Sequence, residues 1–353
     1  MSLLLRTGPR KILAIAAGKG GVGKSTVAIN LALALARQGA QVGILDADVY
    51  GPSVRKMLPE QSLPTRRGPT LVPALCSGIR VISLAFFRQE NHAAAVRAPI
   101  ANNLIQQFIS EVEWGPLDYL FIDFPPGTGD IQLTLCQKAN LNGAIMVTTP
   151  QQVAMMDVRK AMHLFEQVHV PVLGVVENMS YFVQQDGSKA YLFGKDGGQL
   201  LSDEFDVPLL GQIPLDPIVS QCGDLGTSLF DQPSTAAEAF LKIVSRLKDM
   251  PEKVRADIAN IQPKDAHSIT ASWPDGTVRH YRLAHLQREC PCAGCRDEGT
   301  GKRVVDPATI PDDLQALSFN SVGRYGVQIQ FAKGCSNGIY SYEWLKTFGD
   351  NRS

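Results

Sequence analysis

Residues 16–26, AAGKGGVGKST, constrain this chain more than any other stretch. They follow an apolar run, KILAIA, that predicts a strand, and they open a run, KSTVAINLALALARQG, that predicts a helix. The spacing G-x-x-x-x-G-K-[ST] runs from Gly18 through Gly23 to Lys24 and Ser25. Between a strand and a helix, that spacing makes a phosphate cradle. The glycines at 18, 20, 21 and 23 let backbone N–H groups curl around phosphate oxygens, and the helix N-terminus, with Thr26 in its first turn, adds positive potential. Lys24 then neutralises charge on the β- and γ-phosphates, and Ser25 can ligate Mg²⁺.

Short apolar runs alternate with helical stretches from residue 11 to about 250. The runs are KILAIA, VGILDAD, RVISLAF, LDYLFIDF, GAIMVTT and VPVLGVVEN. This alternation predicts an α/β fold, a parallel sheet covered on both faces by helices. STAAEAFLKIVSRLKDM reads as a closing helix, and PEKVRADIANIQPKD as a polar stretch after it. The character then changes to antiparallel β, with SITASWPDGTVRHYRL reading as strand, turn, strand. GVQIQFAKGCSNGIYSYEWL repeats that shape. We therefore expect an ATPase domain over 1–250, a linker over 251–262 and a small β-rich domain over 263–353. A chain of 353 residues agrees with two domains. Lys plus Arg and Asp plus Glu number 34 each, which gives no support for a bulk nucleic-acid or polybasic membrane surface. The apolar runs are too short to span a bilayer, and the opening residues read as no signal peptide. The expected location is the cytoplasm, with no nucleic-acid partner and no stable membrane association.

Two acidic positions complete the phosphate site. LDYLFIDFPPGTGD is an apolar strand ending in Asp123, whose carboxylate can hold Mg²⁺ through water. The loop beyond it, with Gly127, can sense the γ-phosphate. VGILDADVYGPS ends a second strand with Asp46 and Asp48.

Lys19 makes the loop more specific. The form K-G-G-x-G-K-[ST] resembles the MinD/ParA/nitrogenase-iron-protein class of ATPases. In that class the early lysine reaches across a dimer to the partner's nucleotide, so the resemblance implies a homodimer with ATP at its interface. It also implies that Asp48 positions the attacking water, with Asp46 in the Mg²⁺ or lysine shell. The stretches LDADVYGPS, IDFPPGTGD, VTTPQQVAMMDVRKA, VENMSYF and IPLDP narrow the resemblance, over residues 11–250, to the Mrp/NBP-type (ApbC) iron–sulfur carrier ATPases. In that group Asn178 would recognise the adenine edge and Pro214 would flank the base. The implied function is an ATP-hydrolysing carrier or scaffold that assembles or transfers [4Fe–4S] clusters to apoproteins. A labile cluster would be its cargo, with apoprotein clients and cluster donors as partners. A positioning ATPase of the MinD/ParA kind and a cluster-free client adaptor are the alternatives. One departure stands out. Carriers follow NMSYF with a Cys-x-x-Cys pair, and here Gln184 and Gly187 occupy those places. Neither can replace a thiolate. In this loop the chain resembles the chloroplast high-chlorophyll-fluorescence scaffold type, which also lacks the pair. Cys76, Cys136 and Cys222 read as packing residues.

Four of the seven cysteines fall in the last fifth of the chain, and three lie in RECPCAGCRDEG. Clustered cysteines in a reducing compartment suggest metal before disulfide. WPDG, CPCAGC, GRYGVQIQF and NGIYSYEWL resemble the N-terminal zinc module of γ-butyrobetaine hydroxylase. That module supplies a late histidine as fourth ligand. Here the matching turn, KGCSNGIY, offers Cys335 instead. The implied set is Cys290, Cys292, Cys295 and Cys335, holding Zn²⁺ or, as the competing occupant, an iron–sulfur cluster. His267, His280 and His285 read as surface or strand-face residues.

Overall fold

The computed structural model describes residues 8–48, 51, 53–87, 98–250, 259–273, 275–292, 294–296, 302–322 and 326–348. The chain divides into two compact units, residues 1–250 and 251–353.

The strands of the first unit are β1 (Pro9–Ala16), β2 (Val42–Asp46), β3 (Thr65–Arg67), β4 (Thr70–Val72), β5 (Ala74–Cys76), β6 (Ile79–Ser83), β7 (Leu117–Asp123), β8 (Gly143–Thr148), β9 (Val172–Glu177), β10 (Phe182–Val183), β11 (Lys189–Ala190) and β12 (Leu209–Gln212). Its helices are α1 (Lys24–Arg37), α2 (Val54–Met57), α3 (Ala98–Glu111), α4 (Asp130–Lys138), α5 (Gln152–Gln167), α6 (Gly197–Glu204), α7 (Pro217–Leu225) and α8 (Thr235–Asp249). Eight strands form one sheet in the order β12-β9-β8-β1-β7-β2-β6-β5. All neighbours are parallel except β5 and β6. The parallel α/β sheet expected from the alternating runs is therefore present, with an antiparallel edge added. That edge follows from a two-residue turn: Ser77 and Gly78 both have positive φ, 48° and 78°, the geometry of a tight hairpin.

The six apolar runs become β1, β2, β6, β7, β8 and β9. They are buried on both faces because helices cover both, and alternate residues feed separate cores. Leu13, Ile15, Ile44, Phe121, Ile145 and Val147 pack with α1 and α8. Ala14, Ala16, Leu45, Leu120, Ile122 and Met146 pack on the opposite face, with residues of α3, α4 and α5. The chain runs from β1 past β7 to β2, and only later returns to place β8 on the other side of β1. Strand order thus reverses at β1, and the crevice beyond its C-terminal end is where such sheets bind ligands.

The second unit contains two three-stranded antiparallel sheets. One comprises β13 (Asn260–Asp265), β14 (Ser268–Ser272) and β15 (Val278–Arg282); the other comprises β16 (Ala316–Val322), β17 (Gly326–Phe331) and β18 (Ile339–Ser341). Helices α9 (Leu283–Arg288) and α10 (Tyr342–Phe348) follow the two sheets' last strands. Trp273, Tyr281, Leu286, Ile329, Phe331 and Tyr340 share one small core. Strand β13 starts inside the stretch read as linker, so Asn260–Gln262 pair with β14. Pro263 is tolerated there because β13 is an edge strand, whose outer side needs no ladder hydrogen bond. Residues 251–258 of that stretch lie outside the described residues, as do Pro274 and residues 323–325 of the quoted motifs.

Phe240 on α8 is fully buried in the core layer that α1 and α8 form on one face of the sheet. Phe240→Ala is expected to lower the unfolding free energy of the first unit by about 3–5 kcal/mol. Urea unfolding of the intact chain, followed by hydrogen exchange in each unit, measures this; protection in β14 and β17 should stay unchanged.

Candidate nucleotide site and cysteine cluster

The glycine loop leaves β1 and enters α1 with Gly21 and Gly23 both at φ 81°. Two of its glycines are required by close approach. A Cβ on Gly18 would stand 2.0 Å from the backbone of Asp157 on α5, and one on Gly23 would stand 2.2 Å from Asn178 Nδ2. Around Gly20 and Gly21 there is open space, so the loop's outer rim is free to receive a ligand. Lys19 is half-buried on this rim, and Ser25 and Thr26 are half-buried at the start of α1.

Beneath the loop lies a buried charge cluster. Lys24 is 7% exposed and its Nζ is ion-paired with Oδ1 of the fully buried Asp123. Parallel pairing of β2 with β7 sets Asp46 directly beside Asp123. Asp46 Oδ2 accepts from Ser83 Oγ at 2.8 Å, and Oδ1 accepts from the Asp48 N–H at 3.2 Å. Burial and the neighbouring Asp123 charge push the Asp46 carboxyl up to about 7. Asp123 is also raised, chiefly by burial, with Lys24 opposing. Two carboxyl groups thus share one ammonium, and Asp123 Oδ2 is buried with no hydrogen-bond partner among the described residues. An orphaned buried carboxylate oxygen next to a serine hydroxyl is the donor set a hard divalent cation takes, so these residues fit Mg²⁺. Asp48 is half-buried just past β2, and its Oδ1 accepts from Gly51 N at 3.1 Å.

The loop after Asp123 carries Gly127 at φ 94°. It is strapped down by Gln132 of α4, buried at 5%, whose Nε2 donates to the Pro125 and Pro126 carbonyls at 3.1 and 2.8 Å. Gln132 escaped the sequence reading because an amide on a helix face has no signature; only its burial reveals it. Ser83, a serine at the end of β6, likewise carries no local signature, and only the β2–β6 pairing brings it to Asp46.

At the base end, Asn178 Nδ2 donates to the Val22 carbonyl of the loop at 2.9 Å. Pro214 is buried in the adjacent segment, which is cross-linked to the Asn178 turn by Ser180 N to Ile213 O and Leu215 N to Tyr181 O. The structure therefore brings Gly18–Thr26, Asp46, Asp48, Asp123, Asn178 and Pro214 around one end of the sheet. Gln184 and Gly187 lie in a closed hairpin. Strands β10 and β11 pair there, and Gly187 N bonds the Gln184 carbonyl at 3.0 Å. Cys76 and Cys222 lie in one core layer and Cys136 in the other.

In the second unit, four Sγ atoms lie within 4.8 Å of one another: Cys290, Cys292, Cys295 and Cys335. Cys290–Cys292 is 3.6 Å, Cys290–Cys335 3.9 Å and Cys292–Cys335 3.4 Å. Cys290 and Cys295 are buried, while Cys292 and Cys335 are half-exposed. Burial pushes the Cys290 thiol up to about 11. At Cys292 burial acts the same way, but hydrogen bonds from Cys335 and Cys290 outweigh it and bring the thiol down to about 7. Cys335 is delivered by Gln287, whose buried amide donates to the Lys333 carbonyl at 2.8 Å and the Cys335 carbonyl at 3.2 Å. Between those carbonyls, Gly334 at φ 86° leaves room for that amide, which a Cβ would approach to 2.6 Å. Gly338 is needed too, since a Cβ there would meet Cys290 Sγ at 2.6 Å. No histidine joins the sulfurs among the described residues; His267 and His280 bond the Leu314 carbonyl and Thr270 Oγ1.

Comparison with known proteins places these sites in context. Residues 8–248 match the ParA-type family described as NUBPL iron-transfer P-loop NTPase. Residues 261–346 match the gamma-butyrobetaine hydroxylase-like N-terminal domain. The chain is 38% identical over 343 residues to the chloroplastic Fe-S cluster assembly factor HCF101 of Arabidopsis thaliana, covering 95% of this chain and 64% of that protein. It is 45% identical over 245 residues to an iron-sulfur cluster carrier protein of Synechocystis, covering 67% and 69% of the two. A nucleotide-binding protein from Archaeoglobus fulgidus, solved in complex with ADP, superposes with a TM-score of 0.57 at 38% identity, covering 66% of this chain and 92% of that one. The chain spans 64% of the length of the plant relative that it matches along both units. With its glycine loop, its paired strand-end aspartates and a matching profile over residues 8–248, the chain belongs to the NUBPL iron-transfer P-loop NTPase family.

Proposed function

We propose that this chain is an ATP-hydrolysing carrier or scaffold for iron–sulfur clusters that works as a homodimer. The observation that carries the ATPase reading is Lys24, held by Asp123 under an open glycine rim and poised to exchange a carboxylate partner for phosphate. The iron–sulfur reading rests on relatives named for that role.

Backbone N–H groups of residues 20–25 and the α1 N-terminus receive the phosphates. Lys24 swings from Asp123 to the β- and γ-oxygens, and Lys19 reaches the nucleotide of a second copy. Ser25 and Asp123 would hold Mg²⁺, which neutralises charge developing on the transferred phosphoryl group. Asp48 orients the attacking water, Gly127 faces the γ-phosphate, and Asn178 and Pro214 hold the adenine. Binding closes the dimer and hydrolysis reopens it, which changes how the [4Fe–4S] cargo or an apoprotein client is held.

The four cysteines form a zinc site in this reading. Four sulfurs at about 2.3 Å from one tetrahedral ion stand about 3.8 Å apart, close to the 3.4–3.9 Å separations among Cys290, Cys292 and Cys335, with Cys295 within 4.8 Å of each. A cubane cluster places each thiolate on a different iron and would need them spread wider. A second reading, a client adaptor that holds no cluster, is favoured by the closed hairpin at Gln184 and Gly187, which offers no thiol. Iron and sulfide analysis after anaerobic reconstitution separates the two: an adaptor takes up neither. No helix among the described residues is long and apolar enough to cross a membrane; we place the protein in the cytoplasm, whereas the plant relatives are named chloroplastic.

Lys24→Ala is expected to abolish tight ATP binding or turnover, whereas Asp48→Ala should bind ATP normally and lose hydrolysis by about 100-fold or more. Steady-state hydrolysis with nucleotide-binding calorimetry measures both, and wild-type hydrolysis by Asp48→Ala would remove its role. Lys19→Ala should reduce ATP-dependent dimerisation more than ATP affinity; equal dimer fractions in sedimentation with a non-hydrolysable analogue would exclude action across the interface. Elemental analysis of anaerobically purified protein should show about one zinc per chain. Cys335→Ser should lose most of it and loosen the second unit while ATP hydrolysis continues.

A further inference from the structure

One buried acid in the first unit has no part in the proposed mechanism. Glu177 is the last residue of β9, fully buried, directly before Asn178. Its side chain touches three separate segments. Oε1 accepts from Ser180 Oγ and, at 3.0 Å, from Gln212 Nε2 on β12; Oε2 accepts from the Gly198 N–H in the first turn of α6. All three partners are donors, which suits an ionised carboxylate with acceptors on both oxygens.

The placement of those partners gives the contacts meaning. The Ser180 contact closes the turn across Asn178 and Met179. Met179 is left-handed, φ 53°, a conformation that is strained for a non-glycine residue and persists only where its surroundings enforce it. Gln212 lies two residues before Pro214. Ser180 and Gly198 bracket residues 181–196, the segment that contains the hairpin where the carrier resemblance expects cysteines. Gly198 is fitted to the contact, since a Cβ there would meet Glu177 Cβ at 2.8 Å. The N-cap residue of α6, Asp196, makes no side-chain cap bond, and the Glu177 carboxylate supplies a side-chain acceptor to the first turn of that helix.

We propose that Glu177 is a positioning residue that makes the adenine site and segment 181–196 one mechanical unit. It holds the Asn178 turn and the strand leading to Pro214 at one side, and both ends of the segment at the other. Occupancy of the base site is thereby transmitted to the segment, and by reciprocity whatever binds the segment alters affinity for the base. This rests on the reading of Asn178 as an adenine-recognising residue.

A glutamine at 177 keeps the shape but removes the charge, and its NH₂ is accommodated only if Ser180 Oγ and the Gln212 amide both turn from donating to accepting, so charge-assisted contacts become weaker neutral ones. Ser180→Ala removes only the contact across the Met179 turn. Full-length wild type, Glu177→Gln and Ser180→Ala are compared by calorimetry with ADP and GDP, and by hydrogen exchange with and without ADP. Wild type should prefer ADP, and ADP should slow exchange over 181–196. Both variants should bind ADP about tenfold more weakly, with GDP affinity changed less than about twofold. At saturating ADP, protection should persist in the glycine loop and vanish over 181–196. Variants that keep the ADP preference and the segment's response, whatever their melting temperature, overturn the role of Glu177. A wild type that binds ADP and GDP equally overturns the adenine reading itself, and this inference with it. If Glu177→Gln does not fold, Ser180→Ala decides alone.

Discussion

One ammonium group under the glycine loop holds the first unit's chemistry together. Lys24 is nearly buried, and a buried charge is tolerated only when paired. Asp123 provides the pair, but Asp46 stands beside it through the β2–β7 register, so the cluster carries an excess of carboxyl groups. Burial first, and then the Asp123 charge, raise the Asp46 carboxyl to about 7, and Asp123 Oδ2 has no partner among the described residues. Such a cluster is completed by cations and phosphates arriving together. In the proposed function Asp123 and Ser25 would hold the cation and Lys24 would turn from Asp123 to phosphate.

The surrounding packing makes that exchange local. Gly18 lies against the α5 backbone and Gly23 against Asn178, so the loop is wedged between the start of one helix and the turn after β9. Gln132 straps the loop that carries Gly127, and Glu177 fastens the turn after β9. The rim at Gly20 and Gly21 stays open. A rigid floor with an open rim lets phosphate binding act on chosen neighbours without repacking the two core layers behind them.

The second unit solves a different problem. It is small, and its single core leaves the Cys290–Cys295 knuckle and the Cys335 turn to be joined by polar means. Gln287 does part of this by holding two carbonyls of the turn, and the four sulfurs converge where one ion would complete the closure. For a domain of this size, metal closure is folding free energy.

The sequence alone determined what rests on local spacing and period. The phosphate loop was legible because its glycines, lysine and serine are contiguous. The six apolar runs declared a sheet buried on both faces, and the Cys-x-Cys-x-x-Cys knuckle was readable with its fourth cysteine, through resemblance to a module with a late ligand. Tertiary structure alone decided what depends on register and long-range approach. Nothing in the spacing of Asp46 and Asp123 says that they lie side by side; strand pairing does. The antiparallel edge came from two positive-φ residues at Ser77–Gly78, and β13 emerged from a stretch that reads as linker because an edge strand accepts proline. Gln132, Glu177 and Gln287 look like ordinary polar residues in sequence. Their roles exist only because folding buries them, and a buried polar group must find partners wherever the chain happens to bring them.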